Sequence, residues 1–290
     1  MNRNITTITF SPTHSTQKVA LAIAKSISES LSISEQEADI PENGNISQID
    51  ITPYAARANS LNFGSEDIVI VGAPTYAGRI PNKIMPYYRD SIKGNGALAI
   101  ALVTYGNRAY DDALKEMAEL LTQNGFMVIA AAAFLGQHSF TDKLATGRPN
   151  ADDLTAAAAF GASVGGKITE AARDPQKLKL DISKVPGRSI SEMEYYKPVK
   201  TDGKPAAFLK VKPKTHESEC NGCGKCREIC PMNCFVNDLV VPEGTCIKCM
   251  ACVADCPNKA KYFTDEDLAG HRMMLEGNFA DIYRKIETFM

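Results

Sequence analysis

Nine cysteines carry the plainest chemical signal in this chain of 290 residues. All lie between Cys220 and Cys256. Cysteines that close loops in a secreted scaffold are spread along the chain, whereas nine packed into one window point to metal ligation. Cys220, Cys223, Cys226 and Cys230 recur 26 residues later as Cys246, Cys249, Cys252 and Cys256, and Pro231 recurs as Pro257. Each half therefore reads C-x2-C-x2-C-x3-C-P, and the window is a duplicated unit. Zinc held by four cysteines is the competing chemistry, but zinc ribbons pair C-x2-C units across longer loops. Cys234 stands outside the repeat, where its counterpart is Ala260. A small apolar side chain packed beside the metal is expected there.

A second set of chemical groups lies nearer the N-terminus. Ser11-Pro12-Thr13-His14-Ser15-Thr16 offers four hydroxyls and runs into a helical pattern. Hydroxyls and free N–H groups at a helix start can hold a phosphate without lysine. Neither G-x4-G-K-[ST] nor G-x-G-x-x-G occurs there, which leaves a mononucleotide phosphate as the ligand class. Two later loops, residues 72–81 and 104–110, supply Pro74, Thr75, Tyr76, Ala77 and Gly78, then Thr104, Tyr105, Gly106, Asn107, Arg108 and Tyr110. The chain has no Trp, so Tyr76, Tyr105 and Tyr110 are the aromatic faces open to a planar ring. Arg79 and Arg108 are cations beside them, for which solvation is the simpler use. His138 follows the next strand.

These groups need a scaffold. Apolar runs at residues 67–72, 97–104 and 127–134 predict central strands covered on both faces, with two more strands at 5–10 and 47–51. Helices are expected at 19–30, 82–93, 109–124 and 152–173. Five strands alternating with helices predict a doubly wound parallel α/β sheet, whose ligands bind beyond the carboxyl ends of the strands. All three loops fall at that end. Residues 174–214 hold five prolines and ten Lys/Arg against five Asp/Glu, without periodicity, and read as a connector with a basic, solvated face. Thr264-Asp265-Glu266-Asp267 resembles a capping box opening a helical segment from 268 to about 289, with Met273, Met274, Leu275, Phe279, Ile282 and Ile286 as packing residues. A net charge of −2 argues against nucleic acid as a partner. The longest apolar run, 126–135, is too short to cross a bilayer. Asn2, Arg3 and Asn4 lead straight into a strand pattern, so a cytoplasmic location is expected.

Residues 215–262 resemble the dicluster bacterial-type ferredoxins, whose cysteine run the spacing reproduces. The resemblance implies two [4Fe–4S] clusters, one held by Cys220, Cys223, Cys226 and Cys256, the other by Cys230, Cys246, Cys249 and Cys252. In that reading the short gaps wrap the chain round three corners of a cubane, with Gly222 and Gly224 allowing close approach. The cysteine before proline crosses to the other cluster. Residues 1–172 resemble the flavodoxins. Loop 11–16 is similar to their S/T-x-T-G-x-T phosphate loop, with Ser11, Thr13 and Thr16 at the hydroxyl positions and His14 in place of glycine, where it is expected to add a donor beside Ser15. The loops after strands three and four are similar to those that grip the flavin ring. Together the order resembles a family of flavodoxin–ferredoxin fusion proteins. It implies a flavodoxin-like domain with a five-stranded parallel sheet (1–172), a connector (173–214), a small α+β dicluster ferredoxin domain (215–262) and a C-terminal helical segment (263–290). The implied cofactors are FMN and two [4Fe–4S] clusters, and the implied role is anaerobic electron transfer to redox partner proteins or a small acceptor, without a catalytic acid–base residue. A terminal FMN-dependent reductase of a quinone or free flavin is the alternative. The two cofactor-bearing segments are expected to fold independently.

Overall fold

A computed structural model describes residues 3–35, 46–171 and 174–290. The chain opens with β1 (Asn4–Thr9), α1 (Ser15–Glu35) and β2 (Ile46–Asp50). It continues through β3 (Leu61–Asn62), β4 (Asp67–Pro74), α2 (Met85–Ser91) and β5 (Ile92–Lys93). Then come β6 (Leu98–Tyr105), α3 (Ala113–Gln123), β7 (Met127–Leu135) and α4 (Ala151–Glu170). Strands β2, β1, β4, β6 and β7 lie side by side in that order and all run parallel. This is the doubly wound order of flavodoxin, which reverses direction between β1 and β4. The apolar runs form the inner strands because both faces are covered: β6 is buried along its whole length. Ile23 and Ile27 of α1 pack with Phe160 and Val164 of α4 on one face, and Leu114 and Met117 of α3 cover the other. Close approach of α1 and α4 needs Gly161, where a Cβ would stand 2.5 Å from the Ile23 carbonyl oxygen. Asn150 and Asp153 close a reciprocal capping box at the start of α4.

The cysteine-rich part is built from β8 (Lys214–Thr215), α5 (Lys225–Glu228), α6 (Ala251–Ala254) and β9 (Lys261–Tyr262). Its regular structure is short: two single-turn helices, a 3-10 turn at Glu217–Glu219 and a two-residue ladder. Beyond it, α7 (Glu266–Phe279) is capped by Asp265, whose carboxylate accepts from the Leu268 N–H at 2.9 Å. The tail departs from the expected helix here. After Phe279 the chain crosses back and forms β10 (Glu287–Phe289), antiparallel to β7, with Thr288 opposite Ala132. The sheet thus has six strands: the five parallel ones expected and a sixth that covers the open edge of β7. Tyr110 fastens this strand by donating to Glu287 at 2.8 Å.

The connector is packed rather than solvated throughout. Leu178, Leu180, Val185, Met193 and Phe208 are buried, the Leu180 N–H donates to the Val128 carbonyl at 2.8 Å, and Arg188 pairs with Asp112 at 2.7 Å. The two segments expected to fold independently are thus packed against each other through the connector. The last strand of the α/β sheet comes from beyond the cysteine window, and Arg57 donates across the junction to the Pro231 carbonyl.

Candidate functional site

A cavity of about 600 Å³ opens at the carboxyl ends of β1, β4 and β6, where the strand order reverses. Ser11, Thr13, Ser15 and Thr16 form one wall, residues 74–78 a second, and Thr104, Tyr105, Gly106 and Arg108 a third. The hydroxyls are held in place by one another. Thr16 Oγ1 lies 2.7 Å from Thr104 Oγ1, and both residues are buried. The Ser11 N–H donates to Thr52 Oγ1 at 2.7 Å, while Ser11 Oγ accepts from the Gln17 N–H in the first turn of α1. His14 adopts a φ of 63°, the left-handed geometry that glycine would supply at this point of the loop. Its side chain turns to the cysteine-rich part, with Nε2 at 2.9 Å from Asp255 Oδ1, and does not line the cavity.

Thr75 Oγ1 is the one buried side-chain N or O atom among the described residues without a hydrogen-bond partner. A hydroxyl left so costs about 1–3 kcal/mol, and here it stands in the cavity wall, where a polar ligand atom would satisfy it. Gly78 has a φ of 80°, and a Cβ there would run into Asp111. A Cβ on Gly106 would lie 2.5 Å from His138, whose imidazole presses on that loop. His138 Nδ1 accepts from the Phe140 N–H at 3.1 Å. Burial, helped by His271 and Arg108, lowers its pKa to about 4, so the ring is neutral with its proton on Nε2. Burial also holds the Tyr76 hydroxyl well above its ordinary value, with Cys249 and Cys246 adding to the effect.

Two expected ring contacts lie elsewhere. Asn107 donates from Nδ2 to the carbonyls of Phe279, at 2.7 Å, and Ile282, at 2.9 Å. Tyr110 packs edge-on against Tyr105 and serves β10. Arg79 is bound to the buried carboxylate of Glu116, and Arg108 lies 4.2 Å over the Tyr196 ring. Other walls, Cys246 and Cys249 apart, had no sequence signal pointing to this cavity. Tyr195, Tyr196 and Phe208 of the connector, His271 of α7 and the segment 245–249 complete the cavity. The connector residues come from a stretch without periodicity, so only the chain path brings them there. His271 stacks on Phe208 at 5.5 Å and donates from Nδ1 to the Val199 carbonyl.

The cysteines surround two small voids. Cys220, Cys223, Cys226 and Cys256 line one, and Cys230, Cys246, Cys249 and Cys252 line the other. The duplication is visible in the backbone. Left-handed φ values pair off 26 residues apart at Gly222 and Lys248 (71° and 54°), Gly224 and Met250 (78° and 64°), and Asn233 and Lys259 (56° and 53°). The Cys234 N–H donates to Cys230 Sγ at 3.3 Å and, one repeat on, the Ala260 N–H to Cys256 Sγ at 3.2 Å. Such N–H groups favour the thiolate form that metal ligation needs. Burial acts the other way, pushing Cys249 up to about 12 and raising Cys252, so a metal must displace those protons. Cys234 is buried in the second void and its thiol donates to the Thr245 carbonyl at 3.3 Å. Among the described residues no three His, Cys, Asp or Glu side chains gather as a single ion would require. The donor set fits a four-cornered cluster: four thiols line the first void, and the four of the repeat line the second with Cys234 beside them, with backbone N–H groups aimed at sulfur. Cys246 and Cys249 also line the large cavity, whereas the first void shares no residue with it.

Residues 217–233 and 243–262 match the 4Fe-4S binding domain family. No curated protein matches the sequence. Among solved structures, the chain is similar to a flavodoxin from the domain Archaea, at 15% identity over 57% of this chain and 99% of that one, with a TM-score of 0.40. A flavodoxin, WrbA-like protein from Agrobacterium tumefaciens is similar at 18% identity over 58% and 98%, TM-score 0.34. The flavodiiron protein from Giardia intestinalis is similar at 16% identity over 60% of this chain and 37% of that one, TM-score 0.31. No helix among the described residues is long and apolar enough to cross a membrane. By strand order and cysteine content, the chain joins a flavodoxin-like α/β fold to a C-terminal 4Fe-4S binding domain.

Proposed function

We propose that this protein transfers electrons between FMN, held in the large cavity, and two [4Fe–4S] clusters held by the two cysteine foursomes. The observation that carries this reading is the shared wall: Cys246 and Cys249 line the second void and the large cavity at once. The iron–sulfur groups supply single-electron chemistry and the flavin one- or two-electron chemistry. The chain's own residues bind and insulate. The hydroxyl loop at the start of α1 suits a mononucleotide phosphate, Thr75 offers an unspent donor, and Tyr76 and Tyr105 flank the space for a ring. Cys223 is exposed, which suits exchange with a redox partner protein at the first foursome. A second reading, terminal reduction of a small planar acceptor, is favoured by the aromatic cover of Tyr196, Phe208 and His271 over the same cavity.

Composition tests the cofactor set. Anaerobically purified protein should contain about eight iron atoms and one FMN per chain, because two cubanes carry four irons each. Stoichiometric zinc with little iron, or a flavin dinucleotide released on denaturation, would overturn the assignment.

A further inference from the structure

Lysine is among the residues least often buried without a partner carboxylate. Lys248 is 8% exposed and Lys261 is 3% exposed. Each amino group donates to neutral oxygens: Lys248 to the carbonyls of Leu209 (2.8 Å) and Cys246 (2.9 Å), and Lys261 to Thr215 Oγ1 (2.7 Å) and the Leu239 carbonyl. Lys261 also sits 4.3 Å above the Phe235 ring. Neither makes an ion pair with a carboxylate among the described residues. A buried ammonium without counter-charge carries a large desolvation penalty, so something anionic is expected beside it.

The place of each lysine identifies that anion. Lys261 lines the void of Cys220, Cys223, Cys226 and Cys256. Lys248 stands between Cys246 and Cys249, lines the large cavity, and donates from its backbone N–H to Cys246 Sγ at 3.4 Å. The lysines are not products of the duplication, since their positions in the other half are Gly222 and Phe235. At 248 the fold accepts a side chain in a left-handed turn that Gly222 makes without strain. A cluster bearing four thiolates is anionic and becomes more so on reduction, so a fixed cation favours its reduced state.

We infer that Lys248 and Lys261 are positioning cations, one beside each cluster, that set the two cluster potentials separately, with Lys248 acting on the flavin as well. The inference rests on the cofactor assignment above. A merely structural role, tying loops through carbonyl bonds, would leave the potentials alone.

The test is an anaerobic potentiometric titration of the purified holoprotein, following cluster signals by electron paramagnetic resonance and the flavin by absorbance. Lys248→Met should shift one cluster and the flavin to more negative midpoints and leave the other cluster where it was. Lys261→Met should shift only that other cluster. Lys248→Arg and Lys261→Arg, which keep the charge, should restore wild-type midpoints. If a Met variant fails to fold with its cofactors, the Gln variant at that position is read in the same way. Midpoints that do not move, that move together in both single variants, or that move as far with Arg as with Met would overturn the inference. Wild-type protein lacking iron or flavin would instead overturn the cofactor assignment.

Discussion

Residues that line the large cavity differ among themselves in whether their polar atoms are paired. Thr16 and Thr104 satisfy each other, Ser11 is engaged with Thr52 and Gln17, and Thr75 Oγ1 has no partner. Replacing that hydroxyl by a methyl should therefore act in opposite directions with and without ligand. Thr75→Val removes an orphaned polar atom, so the flavin-free protein should be unchanged or more stable by roughly 1 kcal/mol. Flavin affinity should fall about tenfold, the equivalent of one hydrogen bond. Titrating FMN into the deflavinated variant checks this; unchanged affinity would mean that Thr75 faces no ligand. The cysteines were the most legible residues, because two- and three-residue gaps are themselves the ligation geometry. His14 shows what spacing hides. Its type suggested a phosphate donor, whereas its left-handed φ does glycine's work and its ring serves Asp255.

At the scale of elements, strands with continuous apolar runs were readable because burial on both faces demands such runs. That holds for β4, β6 and β7. The three residues of β10 carry no such pattern, and their pairing depends on how the chain leaves α7. Asn107 makes that turn possible through its two bonds to the Phe279 and Ile282 carbonyls, while itself adopting a φ of 68°. Asn107→Ala loses both bonds and strains the backbone, and should destabilise the protein by about 2–4 kcal/mol. Asn107→Gly loses the bonds without the strain and should cost about 1 kcal/mol less. Anaerobic denaturant titration of both variants separates the two contributions, and equal losses would show that the turn carries no strain. Asn107 and Tyr110 were read as ring contacts because residue type and loop position cannot reveal a tail arriving from 172 to 177 residues away.

For the whole molecule, the cysteine-rich part covers the cavity of the α/β part, and the C-terminal strand returns to the sheet that forms that cavity. The connector's buried residues, Leu178, Leu180, Val185, Met193 and Phe208, are spaced too irregularly to show which surface they cover. Hence the two halves looked separable in sequence and are interlocked in space. The consequence is functional: the second cysteine foursome and the large cavity are neighbours by construction, not by collision. Electron exchange between them should be intramolecular. Stopped-flow mixing of anaerobic holoprotein with less than one equivalent of reductant, recorded at cluster and flavin wavelengths over a tenfold range of protein concentration, tests this most directly. The account predicts that cluster reoxidation and flavin reduction share one rate constant that does not change with protein concentration. A flavin reduction rate that rises in proportion to protein concentration, or clusters that stay reduced beside an oxidised flavin of higher potential, would contradict it.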